Sequence, residues 1–293
     1  MAQDPRALLQ KADKTLSGAG GGFSFFGGRT EKYENAADLY TQAANAFRMQ
    51  KQNKEAGQAF EKAAQIQSQK LSEPDDMANT LTEAFKVYRK ENPEDAARVL
   101  AQAINHYTLK GNFRRAATWQ QNLAEVYEVE IGDQKRALEA YELAAGWFES
   151  DNAEALANKL YLKVADLAAL EGDYQKAIER FEGVARSSVN NNLMKWSVKD
   201  YLLKAGICHM ASGDIVATQR ALQSTYLELD STFQSTREYL LLSDLVSAIE
   251  AGDQESFADK LFQYDQLSKL DRWKTTLLLK VKNSIEEGGE DFS

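Results

Sequence analysis

His106 and His209 are the only histidines in this 293-residue chain, and Cys208 is the only cysteine. Cysteine nucleophiles need a base on the same face, and the adjacent positions 208 and 209 project from different faces of a helix. The two histidines fall in different segments, and neither has a neighbouring cysteine or acidic cluster at metal-ligand spacing. The patterns Gly-x-Ser-x-Gly and His-Glu-x-x-His and the calcium-loop pattern do not occur. A glycine-rich run, Gly18 to Gly28, invites a phosphate-cradle reading, but no Gly-Lys-Ser/Thr follows it. The residues therefore point to no catalytic group, no metal and no cofactor. The chain is read as a non-enzyme.

The chemistry the charged and aromatic residues do offer is recognition. Lys159 and Lys163 are four apart and share one helix face, beside the apolar stripe Leu160, Val164, Leu167 and Ala168. Lys199 holds a comparable position one unit later, and Arg114-Arg115 one unit earlier. These cations read either as a basic row along one face of a stack or as ordinary solvated lysines. Phe23, Phe25 and Phe26 stand inside the glycine-rich run, where a polar linker normally has no large apolar groups. They read either as rings folded back on the first hairpin or as a greasy tip for a bilayer or a partner groove. One buried Phe contributes about 1.5–3 kcal/mol, so such a tip needs a second anchor or several copies. Glu286, Glu287, Glu290 and Asp291 make the end acidic next to Phe292. That end reads as a solubilising tail or a docking peptide.

The elements that carry these residues follow from a repeat. Gly132-Asp133, Gly172-Asp173, Gly213-Asp214 and Gly252-Asp253 recur at steps of 40, 41 and 39 residues. Asn53-Lys54-Glu55-Ala56 and Asn92-Pro93-Glu94-Asp95-Ala96 fill the same slot earlier. After each turn comes an i, i+4, i+7, i+8 apolar stripe: Ala56, Phe60, Ala63, Ala64; Ala137, Tyr141, Ala144, Ala145; Ala177, Phe181, Val184, Ala185. A period near 40 predicts two helices per unit, and such units bury their stripes only by stacking.

The predicted fold is all-α: a tetratricopeptide-like helical-hairpin solenoid followed by a C-terminal helical bundle. Residues 1–29 are expected to form a first helix, Arg6 to Leu16, ended by Ser17-Gly18, and then the Phe loop. Residues 30–190 form the hairpin sheet, 191–285 the bundle and 286–293 the acidic tail. Pro74 and Asp75 are expected to break the chain, Val216 to Leu229 to form one helix, and Gly288-Gly289 to stop the last helix.

The 35 basic and 44 acidic residues give 35 − 44 = −9, which disfavours bulk attraction to nucleic acid. A lone cysteine fits a cytoplasmic chain without disulfides. The first residues lack a basic and an apolar region, so no signal peptide is expected, and no apolar run is long enough to span a membrane.

Specific blocks then carry a likeness to a known family. They are Phe23-Ser-Phe25-Phe26-Gly, Ala43-Ala-Asn-Ala-Phe47, Ala157-Asn-Lys-Leu-Tyr-Leu-Lys163-Val, Asp173-Tyr-Gln-Lys-Ala-Ile178, Lys199-Asp-Tyr201 and Leu270-Asp-Arg-Trp273-Lys-Thr-Thr-Leu-Leu278. Over nearly its whole length the chain resembles the soluble NSF attachment proteins of the alpha type, including the yeast vesicle-trafficking form. The resemblance implies an adaptor, several copies of which wrap a SNARE four-helix bundle and recruit the hexameric ATPase NSF.

By that resemblance Lys159, Lys163, Lys199 and Arg237 are SNARE-binding, and Arg114 or Arg115 stands in for a basic contact that falls at Thr118. Phe23, Phe25 and Phe26 are the membrane-attachment loop of a peripheral membrane protein. Glu290, Asp291, Phe292, Asp214, Glu250 and Asp253 face the ATPase. The penultimate residue, normally leucine in the family, is Phe292 here. The competing reading is a generic TPR-like scaffold or a cochaperone-type peptide-binding module.

Overall fold

The structure is a computed structural model; it describes residues 4–20 and 28–290, with side chains for all of these except residues 20 and 286–290. Phe23, Phe25, Phe26, Asp291 and Phe292 lie outside the described residues, as does the side chain of Glu290. Among the described residues every regular element is helical. Contacts divide the chain into two compact units, residues 1–157 and 158–293.

In the first unit the helices run α1 (Pro5–Gly20), α2 (Gly28–Met49), α3 (Asn53–Ile66), α4 (Pro74–Tyr88), α5 (Pro93–Leu109), α6 (Phe113–Glu125) and α7 (Gln134–Ser150). Each helix of this unit packs against the next in the chain. The second unit takes most of α8 (Glu154–Glu171), then α9 (Tyr174–Ser188), α10 (Val198–Ala211), α11 (Ile215–Arg220), α12 (Tyr226–Leu229), α13 (Arg237–Glu250), α14 (Gln254–Leu267) and α15 (Arg272–Glu290).

The recurring Gly-Asp pair is a two-part turn. Gly132, Gly172, Gly213 and Gly252 all take φ between +66° and +89°, the left-handed region that a side chain disfavours. The aspartate that follows caps the next helix: Asp133 accepts from Arg136 N, Asp173 from Lys176 N, Asp214 from Ala217 N and Asp253 from Ser256 N, at 2.8–3.2 Å. Such a cap contributes about 1 kcal/mol. The aspartate's own N–H closes the preceding helix, as in Asp173 N to Ala168 O and Asp253 N to Ala248 O, at 2.8 and 2.9 Å. One dipeptide thus satisfies groups on both helix ends.

Small residues set the helix spacing. The first unit's core mixes alanines with Phe47, Phe60, Phe85, Tyr88, Leu100 and Tyr107. Gly57 on α3 lies flat against the Tyr88 ring of α4, where a Cβ would sit 2.2 Å from a ring carbon. The Tyr88 hydroxyl donates to Glu61 at 2.8 Å, and Arg98 grips the same carboxylate at 2.7 and 2.9 Å. In the second unit α10 is central. Leu202, Leu203, Ile207 and Cys208 are fully buried, and the helix touches α9, α11, α13 and α15.

The boundaries differ from expectation at four places. α1 runs on to Gly20, past Ser17-Gly18, because neither residue takes the left-handed turn. Pro74 is the first residue of α4 and does not break it; proline lacks an N–H that goes unused at that position. The segment 216–229 is interrupted by a π-turn over Ala221–Thr225, so it forms α11 and α12. α15 continues through Gly288-Gly289 to Glu290, since glycine ends a helix only when it adopts the left-handed conformation.

Candidate binding surface

The basic residues of the second unit sit on the ends and faces of helices fastened together by a polar seam. α8 carries Lys159 exposed and Lys163 half-buried on one face, with Asp166 three residues further on. The Asp166 carboxylate accepts from Lys204 Nζ of α10 at 2.8 Å. Its backbone oxygen accepts from Trp273 Nε1 of α15 at 2.9 Å. Lys204 Nζ also lies 4.8 Å from the Trp273 ring centre and 5.5 Å from that of Phe181. The two rings meet edge to face at 5.6 Å. Burial pushes the Asp166 carboxyl above the usual range, while Lys204 and Lys163 pull it back. Lys163 is therefore within electrostatic reach of this box, and the box is what orients its turn of α8.

A second clamp ties α10 to α15. Lys274, 8% exposed, bonds Asp200 at 2.8 Å and Asp271 at 3.0 Å. Asp271 also caps α15 by accepting from Lys274 N at 2.8 Å. Burial works against the Asp271 carboxylate, but these bonds hold it below the usual range. This explains why Leu270-Asp-Arg-Trp273-Lys is a recognisable block: Asp271, Trp273 and Lys274 each bind a different partner.

Lys199, in the first turn of α10, reaches Glu238 of α13, Nζ to Oε1, at 3.3 Å. Arg237 precedes Glu238 and is exposed as the first residue of α13. The Lys199–Glu238 contact thus joins α10 to the first turn of α13, the turn that Arg237 opens. The structure also links α8 to α10 behind Lys163.

Arg114 and Arg115 belong to the first unit and are engaged there. Arg114 Nε meets Asp151 at 3.3 Å. Arg115 donates to Asn79 at 2.7 Å and stacks 4.4 Å over Tyr107. Thr118 is exposed, and its hydroxyl donates to Arg114 O at 2.9 Å. Arg114, exposed and one turn back from Thr118, shares that face more closely than Arg115 does.

Of the expected ATPase-facing acids, Asp214 and Asp253 each accept a capping bond with Oδ1. Glu250, at the end of α13, is hydrogen-bonded to Gln219 of α11. All three are exposed, so each keeps oxygen lone pairs for a partner.

The residues that could have done covalent chemistry are otherwise committed. Cys208 is buried, and burial pushes its thiol far above the ordinary range, so it is no nucleophile. His106 bonds Asp75 at 2.7 Å and His209 bonds Glu182 at 3.2 Å. No group of acidic, histidine or cysteine side chains among the described residues could hold a metal. No helix among them is long and apolar enough to cross a membrane. Sequence reasoning missed Asp166, Lys204 and Glu238 as parts of this surface. The only signal was the compact Asp-Arg-Trp-Lys block, whose Trp273 and Lys274 bind Asp166, 107 residues away, and Asp200 of α10.

The described residues form an array of helical hairpins with charged side chains exposed on several of the helices. The family model described as "Soluble NSF attachment protein, SNAP" matches residues 3–286, and the chain belongs to that family. It is 58% identical over 293 residues, all of both chains, to the "Probable vesicular-fusion protein sec17 homolog" of Schizosaccharomyces pombe. It is 39% identical to the "Alpha-soluble NSF attachment protein" of Saccharomyces cerevisiae, covering 99% of each chain. The human protein of that name is 37% identical over 286 residues, 98% of this chain and 96% of its own. The generic scaffold reading is not favoured by these matches.

Proposed function

We infer that this protein is an adaptor that binds assembled SNARE complexes and recruits the ATPase NSF to disassemble them during vesicle fusion and membrane trafficking. The observation that carries this reading is the match to the attachment-protein family along residues 3–286. The local chemistry supports it. Lys159, Lys163, Lys199 and Arg237 offer cations to an acidic helical rod. Contacts of this kind supply steering and salt sensitivity more than large energies per pair. Such recognition tolerates sequence differences, as a factor that recycles many SNAREs requires. Arg114 adds a cation where the family's contact would fall at Thr118.

We propose further that several copies act on one bundle and that Phe23, Phe25 and Phe26 attach the protein peripherally to the membrane. The acids Asp214, Glu250, Asp253, Glu290 and Asp291, with Phe292, would face the ATPase. The test is the double substitution Lys159→Glu with Lys163→Glu. Helix content should be unchanged, because glutamate is a comparable helix former. Capture of a soluble SNARE bundle should fall at least about tenfold, since two attractions become repulsions. Raised salt should weaken the unaltered protein in the same direction. Equal capture at low salt would refute the assignment.

A further inference from the structure

Glu238 is out of place by its burial. It is 8% exposed, yet it lies at the first turn of α13 next to two cations offered for binding. One carboxylate oxygen meets Lys199 Nζ at 3.3 Å, a long contact for an ion pair. The other, Oε2, is buried and has no hydrogen-bond partner. Tyr264 of α14 stands close enough to feel it: burial first, then the Glu238 charge, push the phenol up to about 12. A carboxylate with one orphaned oxygen is a poor structural pair, because its desolvation is only partly offset. The position at the N-terminus of α13 favours a negative charge, but an exposed acid would serve that purpose equally.

What distinguishes Glu238 is its target. Lys199 keeps about half its side chain exposed and points outward from the surface proposed to grip the SNARE bundle. We propose that Glu238 is an internal competitor that sets how tightly this surface holds its partner: it shares the Lys199 ammonium with acidic groups of the bundle and so holds the affinity below its maximum. The inference rests on the SNARE-binding reading above. An adaptor that must let go of its partner after each cycle gains from such a limit, since affinity in related complexes is tuned mostly through the dissociation rate. Arg237, exposed as the first residue of α13, offers a further cation, so acidic partners are still attracted.

The experiment measures binding and dissociation of a soluble four-helix SNARE bundle with four proteins: the unaltered chain, Glu238→Gln, Lys199→Ala and the double variant. Glu238→Gln keeps the side-chain shape and removes the charge. It should bind about three- to tenfold tighter, mainly through slower dissociation, with a steeper loss of affinity on adding salt. In the Lys199→Ala background the same change should have no effect on affinity. Glu238→Met, an apolar replacement of similar length, should act in the same direction as Glu238→Gln.

Unchanged or weaker binding by both Glu238 variants, with folding intact by circular dichroism, overturns the proposal. An equal gain with and without Lys199 also overturns it, because Glu238 would then act as general negative charge. The Lys159→Glu, Lys163→Glu protein serves as the control. If it binds as well as the unaltered chain, the SNARE-binding reading itself has failed; if it loses binding while the Glu238 variants change nothing, only the present inference has.

Discussion

At the residue scale, single atoms decide several helix contacts. Gly57 shows two opposing effects. Alanine is a better helix former than glycine by about 1 kcal/mol, so Gly57→Ala would stabilise an open helix. Here the added Cβ would lie 2.2–2.6 Å from three carbons of the Tyr88 ring. Tyr88 cannot swing aside, because its ring is buried and its hydroxyl is held by Glu61. Overpacking of this kind costs about 1–3 kcal/mol and should outweigh the helix gain. Urea unfolding of Gly57→Ala should therefore show a lower midpoint. A higher midpoint would mean that α3 and α4 separate at little cost, and the close-approach account would fail. The glycines of the Gly-Asp turns differ in kind. Nothing within 4 Å of Gly172 would meet a Cβ, and it is its φ of +89° that excludes one.

At the element scale, α15 is held by side chains from its first turn. Trp273 contributes an edge contact to Phe181, a hydrogen bond to Asp166 O and a face over which Lys204 sits. Trp273→Ala removes all three and should cost about 3 kcal/mol, while Trp273→Phe keeps a ring, loses the hydrogen bond and should cost about 1 kcal/mol. Amide exchange gives the sharper check. In Trp273→Ala the protection of α15 should fall more than that of α10, whose core residues Leu202, Leu203 and Ile207 keep their other neighbours. Equal loss in both helices would mean that the unit opens as one body and that Trp273 is not a local fastening.

At the scale of the whole molecule, the proposed function joins a membrane, a helical rod and an ATPase through weak contacts that act together. Changing Phe23, Phe25 and Phe26 to serine should reduce disassembly of membrane-anchored SNAREs much more than of soluble ones. Melting temperature should stay the same, because the rings would serve the bilayer. A drop of several degrees would instead place the rings on the first hairpin. Phe292 is a single apolar group among acids, contributing at most a few kcal/mol. Phe292→Ala should leave the assembled complex intact and lower SNARE-stimulated ATP hydrolysis, and Phe292→Leu should keep or raise it. An ATPase assay on matched amounts of complex decides the point, and unchanged turnover in Phe292→Ala would deny the tail its stimulating role.

The sequence by itself determined the helices and their turns. A 3.6-residue apolar stripe and a Gly-Asp pair are local signals, readable wherever they fall, because helix hydrogen bonds and caps link residues only a few positions apart. It also showed, through Lys159, Lys163 and the Trp273 block, which positions to examine. The exceptions were local as well: Pro74 and Gly288-Gly289 have more than one helical use, and composition does not say which applies. The tertiary structure alone decided how charges pair. Nothing in the order of residues tells that Lys204 serves Asp166, that Lys274 bridges Asp200 and Asp271, or that Arg115 reaches across the surface to Asn79. Glu238 reads in sequence as one more surface acid. Packing of α13 against α10 buried it beside Lys199, and burial is what converts a solvated charge into one with consequences for its neighbour.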